Sequence, residues 1–294
     1  MRAYIFQPKK FPVFTKQVVE KILEAAARGE SAVEVTLDLG LSTSRLELSG
    51  GRLLMTGGSW LELERLKPIL RDERGVYIFR EGELEKVALR VDGLFYQLVQ
   101  VGSTAPTLEI GGIHMHRIKG TVPWQDSLQK VRAARVGPGH KVLDICTGLG
   151  YTASLSVKFG ASSVLTVEKD EKVLRIAEVN PWSWGLADER VRVVLGDAVE
   201  VVKELPDSSF DRIIHDPPRL ALAGELYSLS FYRELARLLR PGGLLFHYTG
   251  EPGRLRGVKV VRGACRRLEE AGLRIVRRMA GGVVGEKPLH TRRG

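Results

Sequence analysis

The chain has 294 residues, 44% hydrophobic and 27% charged, enough to bury a substantial core and to divide into two domains. No apolar run approaches the roughly 20 residues that span a bilayer, and the opening ten residues lack the apolar core of a secretory signal, so a soluble, cytoplasmic chain with no membrane partner is expected. Two cysteines, Cys146 and Cys265, give neither a disulfide framework nor metal-ligand spacing, and the net charge of +10 points to a polyanionic partner.

Residues 1–120 open with one amphipathic helix, expected from Thr15 to Arg28. Short alternating segments follow, among them Ala32 to Leu39, Ser44 to Ser49, Gly75 to Arg80 and Leu94 to Val101, punctuated by Gly-Gly and Asp-Gly. This reads as a smaller α+β domain built mostly on an antiparallel sheet. It shows no catalytic constellation, so an auxiliary, substrate-positioning role is expected. His114 and His116 lie two apart on one expected strand face, but no third ligand accompanies them and no metal is expected.

Residues 121–294 alternate regularly between strand and helix. A helix from Pro123 to Arg135 leads in, with proline at its start and Leu128, Val131 and Ala134 at helical spacing. Strands are expected near 141–145, 163–168, 191–195, 211–215, 243–248 and 273–278, with helices near 150–159, 170–178, 198–204, 228–239 and 257–271. A last strand at 282–285 would pair antiparallel with its neighbour. The element order is that of an α/β fold with a doubly wound, seven-stranded Rossmann-like sheet.

Four motifs fall at the carboxyl ends of these strands, where an open parallel sheet collects its ligand residues. The first, Val142 to Ala153, places Asp144 at a strand end and then turns tightly through Thr147, Gly148 and Gly150 into Tyr151 and Thr152. Glycine lets the backbone approach a ligand, and an acid at the strand end suits an ammonium group. Glu168 and Lys169 follow the second strand, with Glu168 placed for ribose hydroxyls. Gly148-x-Gly150-x-x-Ala153 with that glutamate also fits a dinucleotide fingerprint, so the glycines alone do not discriminate. The later motifs do. Asp197 and Ala198 after the third strand suit an adenine ring, and His215, Asp216, Pro217, Pro218 and Arg219 follow the fourth at the topological switch point. A nicotinamide enzyme has no use for an Asp-Pro-Pro turn there, whereas S-adenosylmethionine with an amino acceptor does. Acceptors at Asp216 and the Pro217 carbonyl would draw amine hydrogens out of a ring plane, and both prolines stiffen the turn. His215 is a candidate to orient Asp216 or relay its proton, and equally a strand-end histidine satisfied by hydrogen bonds.

The second domain resembles class I S-adenosylmethionine-dependent methyltransferases, and Asp-Pro-Pro is similar to the signature of enzymes that methylate exocyclic amino groups of bases. Ala105 to Arg117, Asp144 to Ala153, Asn180 to Ser183, His215 to Arg219, Ala223 to Ser228 and Phe246 to Gly253 together resemble a family of predicted archaeal methyltransferases of RNA cytidine N4 type. The resemblance implies the fold, the cofactor S-adenosylmethionine and an RNA substrate, ribosomal or transfer RNA. Arg219 stands where that signature carries an aromatic residue; Tyr227, Phe231 or Tyr248 would then supply the stacking face, or the guanidinium would stack or clamp a phosphate. The bland alternative for Arg219 is an ion pair with Glu225.

From Arg254 onward twelve Lys or Arg face three Glu, nearly the whole positive excess, and Arg254 and Arg256 head this segment as candidate RNA contacts. Asn180 is the only asparagine, a scarcity that fits a thermophile. Asn180 to Ser183 either lines the adenosine pocket or simply stops a helix and fills core. Cys146 reads as packing beside the glycine turn. Two other functions stay open: methylation or aminopropylation of a small amine, for which carboxylates beyond Glu225 are scarce, and an RNA-binding assembly factor without turnover.

Overall fold

The computed structural model describes residues 2–55, 57–250 and 255–289, with side chains in the last stretch described from residue 259. The chain forms two compact units. One comprises residues 1–7, 127–174 and 183–294; the other comprises 8–126 and 175–182.

The first unit is built on one eight-stranded sheet. Its strands are β1 (Arg2–Tyr4), β2 (Lys141–Ile145), β3 (Ser163–Glu168), β4 (Val191–Leu195), β5 (Phe210–His215), β6 (Leu239–Tyr248), β7 (Arg274–Met279) and β8 (Gly282–Glu286). Across the sheet they run β1-β4-β3-β2-β5-β6-β8-β7. The five central strands are parallel, and the β7–β8 hairpin closes one edge antiparallel to β6. Central parallel strands are covered on both faces, which is why β2 reads as the nearly continuous apolar run Val142, Leu143, Ile145. The order reverses between β2 and β5, and the carboxyl ends of those two strands flank the switch point.

The helices arise from local signals. Ser228 accepts the Phe231 amide at 3.1 Å and caps Leu229–Leu238, whose Phe231, Tyr232, Leu235 and Leu238 are buried. Asp197 caps the short helix Ala198–Val201 by accepting the Val199 amide at 2.8 Å. The core joins Leu143, Ile145, Val167 and Val194 of the sheet to Phe231, Leu235 and Leu268 of the helices. Each such side chain contributes roughly 1.5–3 kcal/mol on leaving water.

The sheet has eight strands rather than the seven expected, because β1 pairs antiparallel with β4, Arg2 opposite Leu195. A three-residue segment so far from its partner carries no local signal. β6 starts at Leu239, earlier than expected, because Leu239 already pairs with Phe210 and the following Pro241, Gly242 and Gly243 are absorbed as an irregularity opposite Phe210 and Arg212, with Gly242 at φ 78°.

The second unit holds the helix Lys16–Ala27, which buries Val18, Val19, Ile22 and Ala25. It contains three small antiparallel sheets among the described residues, where one was expected. They contain four, three and four strands, and the 3-10 segment Leu63–Arg71 follows the strand Trp60–Glu62 in the chain. Its core gathers Phe14, Ile22, Leu53, Leu61 and Leu66. No described helix is long and apolar enough to cross a membrane.

Candidate active site

The expected site residues of the first motif gather at the carboxyl end of β2. Asp144 is wholly buried. Its Oδ2 accepts the Thr166 hydroxyl at 2.7 Å, and the Thr147 hydroxyl lies 2.6 Å from that of Thr166, so a hydroxyl chain runs into the carboxylate. Oδ1 of Asp144 has no hydrogen-bond partner, an orphaned acceptor that suits a ligand's ammonium. Burial raises the Asp144 carboxyl to about 7; hydrogen bonds from Thr166 and Thr152 oppose the rise, and the neighbouring charge of Asp216 adds to it.

The turn after β2 leaves ordinary backbone space. Cys146, Gly148 and Gly150 have φ of 72°, 53° and 72°, respectively. Gly150 is glycine for a second reason, since a Cβ there would lie 2.4 Å from Leu186 Cδ1. Behind the turn, Tyr151 and Thr152 are buried at the start of Tyr151–Lys158. Burial, and after it the carboxylates of Glu168, Asp216 and Asp144, push the Cys146 thiol well up, which suits packing and not nucleophilic attack.

Glu168 ends β3 with one oxygen accepting the Gly148 amide at 2.9 Å and the other accepting those of Lys169 and Asp170, each at 3.0 Å. The glutamate therefore ties the glycine turn to the end of β3. Its pKa is raised by burial, against these three bonds. Lys169 is exposed, as is Asp197, while Ala198 is buried beside it.

Asp216 follows β5, its amide donating to the Ile145 carbonyl at 3.2 Å, so it stands directly beside the end of β2. Its Oδ2 accepts from Lys130 Nζ at 2.5 Å. Lys130 comes from the helix Pro123–Ala133 and is 5% exposed, against 20% for the aspartate. The same ammonium lies 4.9 Å from the ring centroid of Tyr248, at the end of β6. Sequence reasoning missed Lys130, because a lysine on an amphipathic helix reads as solvated surface. Pro217 is buried and Pro218 exposed.

Several expectations need correction. His215 does not relay a proton from Asp216. It lies on the opposite face of β5, wholly buried, stacked on His247 at 4.6 Å and flanked by Phe231 at 5.3 Å, and neither ring nitrogen has a hydrogen-bond partner. Burial holds both imidazoles neutral, lowering His215 well below its ordinary value and His247 to about 3. Tyr227 is no stacking face either. Its ring is buried 5.2 Å from that of His247, and its hydroxyl donates to the Pro218 carbonyl at 2.9 Å. Phe231 is buried likewise, and Tyr248 is covered by Lys130. Arg219 and Glu225 are both exposed. Arg254 and the Arg256 side chain lie outside the described residues.

In the other unit, Asn180 is buried and accepts the Trp182 amide at 3.3 Å. The Trp182 indole donates to the Leu39 carbonyl at 3.0 Å and meets Trp124 edge-on at 5.0 Å. His114 lies in the strand Ile113–His114 with Nε2 2.9 Å from Glu109 Oε2, whereas His116 falls beyond that strand and meets the Thr107 hydroxyl at 3.0 Å.

Residues 130–259 match the spermine/spermidine synthase domain. Over 226 residues the chain is 46% identical to the uncharacterized protein MJ1233 of Methanocaldococcus jannaschii, covering 76% of this chain and 77% of that one. It is 29% identical over 162 residues to a polyamine aminopropyltransferase of Prochlorococcus marinus, covering 52% of this chain and 56% of the relative. It is 26% identical over 174 residues to putrescine N-methyltransferase 3 of Nicotiana tabacum, covering 55% and 46%. Among solved structures, a spermidine synthase in complex with the transition state analogue AdoDATO shares the fold, with a TM-score of 0.57 and 19% identity over 69% of this chain and 73% of that one.

Proposed function

The chain belongs to the same family as the MJ1233 protein of Methanocaldococcus jannaschii, and from that premise and the site we propose that it transfers an alkyl group from S-adenosylmethionine, or its decarboxylated form, to an amino nitrogen. The observation that carries the reading is the meeting of Asp216 with the end of β2: an acid followed by two prolines stands beside an orphaned buried carboxylate oxygen and a glycine turn. Asp144, Gly148, Glu168 and Asp197 fit the donor, with Asp144 offering an acceptor to an ammonium and Asp197 an exposed carboxylate at a helix start. When bound, such a donor supplies an electrophilic carbon on a cationic sulfur.

The rest falls to the chain's own residues. Asp216 accepts a hydrogen of the acceptor nitrogen, aims its lone pair and takes up the proton it sheds. The Pro217 carbonyl is the second acceptor. Tyr227 fixes the turn through the Pro218 carbonyl, so these acceptors are set before the amine arrives.

The named relatives, an aminopropyltransferase and a putrescine N-methyltransferase, put a small amine ahead of the RNA base expected from motif resemblance. A second reading, an exocyclic amino group in RNA, is favoured by one observation: Lys259, Arg262, Arg277 and Arg278 are exposed near the end of the chain. Parallel incubations with methyl-labelled S-adenosylmethionine and with decarboxylated S-adenosylmethionine labelled in its aminopropyl group, each with a small-amine extract or ribosomal and transfer RNA, test both readings, with Asp216→Ala as the blank. Label on an amine nitrogen in the small-molecule fraction is the expected result. Label in RNA as an N-methylated base would replace the first reading with the second, and label on carbon or oxygen would overturn both.

A further inference from the structure

We propose that Lys130 selects the acceptor: its ammonium fills the cation site formed by Asp216 and Tyr248, so the site takes an uncharged amino nitrogen and turns polycations away. The inference rests on the amine-transfer reading above and specifies the charge of the acceptor.

A carboxylate beside an aromatic face is a pairing that holds an ammonium group. An enzyme that handles a polyamine has use for such a pair, because each charged nitrogen leaving water must find a counter-charge. In this chain one of its own lysines has taken the place. Lys130 Nζ is 2.5 Å from Asp216 Oδ2 and 4.9 Å from the Tyr248 ring centroid, with a side chain 5% exposed. Its stem is anchored in the helix Pro123–Ala133, so the cation is part of the framework.

Two consequences follow for the acceptor. An external ammonium would meet a like charge, with the nearest carboxylate already engaged. Glu225, the acid that sequence reasoning offered as a polyamine partner, is exposed. An uncharged amino group meets no such repulsion and still finds hydrogen-bond acceptors at Asp216. That describes an exocyclic amino group on an aromatic ring, or an aliphatic monoamine that binds after losing its proton.

The test measures equilibrium binding of spermidine and of putrescine to the full chain, to Lys130→Met and to Lys130→Arg, with thermal unfolding and S-adenosylmethionine binding recorded on each. Spermidine is expected to bind Lys130→Met at least about tenfold more tightly than wild type or Lys130→Arg, roughly the worth of one unmasked charge pair. Equal spermidine affinity in wild type and a folded Lys130→Met would overturn the proposal, and so would the same gain in Lys130→Arg. Should Lys130→Met fail to fold, Lys130→Gln takes its place and the same comparison decides. Failure of wild type to bind S-adenosylmethionine or its decarboxylated form would instead sink the transferase reading, while the spermidine comparison would still report on Lys130.

Discussion

Replacing Gly150 by alanine tests whether the second glycine of the turn serves the protein's own packing. The substitution adds one methyl group at φ 72°, where an L side chain is strained by roughly 1–2 kcal/mol. That methyl would sit 2.4, 2.6 and 2.5 Å from Leu186 Cδ1, Cδ2 and Cγ, all of them inside van der Waals contact. Overpacking of this kind costs about 1–3 kcal/mol, so Gly150→Ala is expected to lose about 2–5 kcal/mol. Leu186 is 2% exposed, and Leu186→Ala alone should cost about 2–5 kcal/mol through the cavity it leaves. In the double variant the alanine methyl has room and fills part of that cavity. The pair should therefore be more stable than the sum of the single losses by about 1–3 kcal/mol, leaving the backbone strain and what remains of the cavity cost. Urea unfolding of the four proteins, followed by far-ultraviolet circular dichroism and fitted with one m value, measures the cycle. Strict additivity, or a Gly150→Ala loss below about 0.5 kcal/mol, would refute the packing argument.

Three further outcomes are expected. Asp216→Ala should abolish turnover while donor affinity is largely kept; loss of donor binding would move Asp216 into the donor site. Tyr227→Phe removes the hydrogen bond to the Pro218 carbonyl, and turnover should fall several-fold with donor affinity unchanged; unaltered kcat would reduce Tyr227 to packing. Stability should depend on pH in two opposed ways. Asp144 keeps its proton to about 7 when folded, against an ordinary 3.8, so its contribution falls as pH rises through that window, by about 4 kcal/mol in all. His247 stays neutral down to about 3 against an ordinary 6.5, so its contribution is lost as pH falls through that range. The two slopes oppose each other between about pH 4 and 6.5. Relative to wild type, denaturant titrations across that range should therefore show a more positive slope of stability with pH in Asp144→Asn and a less positive one in His247→Phe, where the neutral His215 remains; parallel profiles for the two variants would contradict both assignments.

What the sequence disclosed follows from the range of the forces involved. β2, β3 and β4 lie at the residues expected, because buried parallel strands are apolar runs bounded by turns, and both signals are local. Asp144, Glu168 and Asp216 were legible because each ends such a run. Lys130 was not, since its burial depends on an aspartate 86 residues further on, and nothing around it in the chain announces that partner. Of the two roles open to His215, the structural one could have been preferred from the sequence: adjacent residues at a strand end point to opposite faces, so a histidine preceding a site aspartate is turned toward the core. Tyr227 was picked for its ring, whereas the structure uses its hydroxyl.

The pairing of Arg2 with Leu195 bears on how the molecule is made. Emerging from the ribosome, β1 has no sheet edge to join until β4 has been synthesised, so its pairing must wait for residues nearly two hundred positions further on. Until β1 pairs with it, β4 presents an open edge, the kind of surface that recruits other extended chains. Its closure has a very large sequence separation and falls late in any order governed by loop entropy. Shortening the chain by its first few residues would thus uncover a sheet edge far from the cut, and the cost would register as aggregation during synthesis before it registered in catalysis.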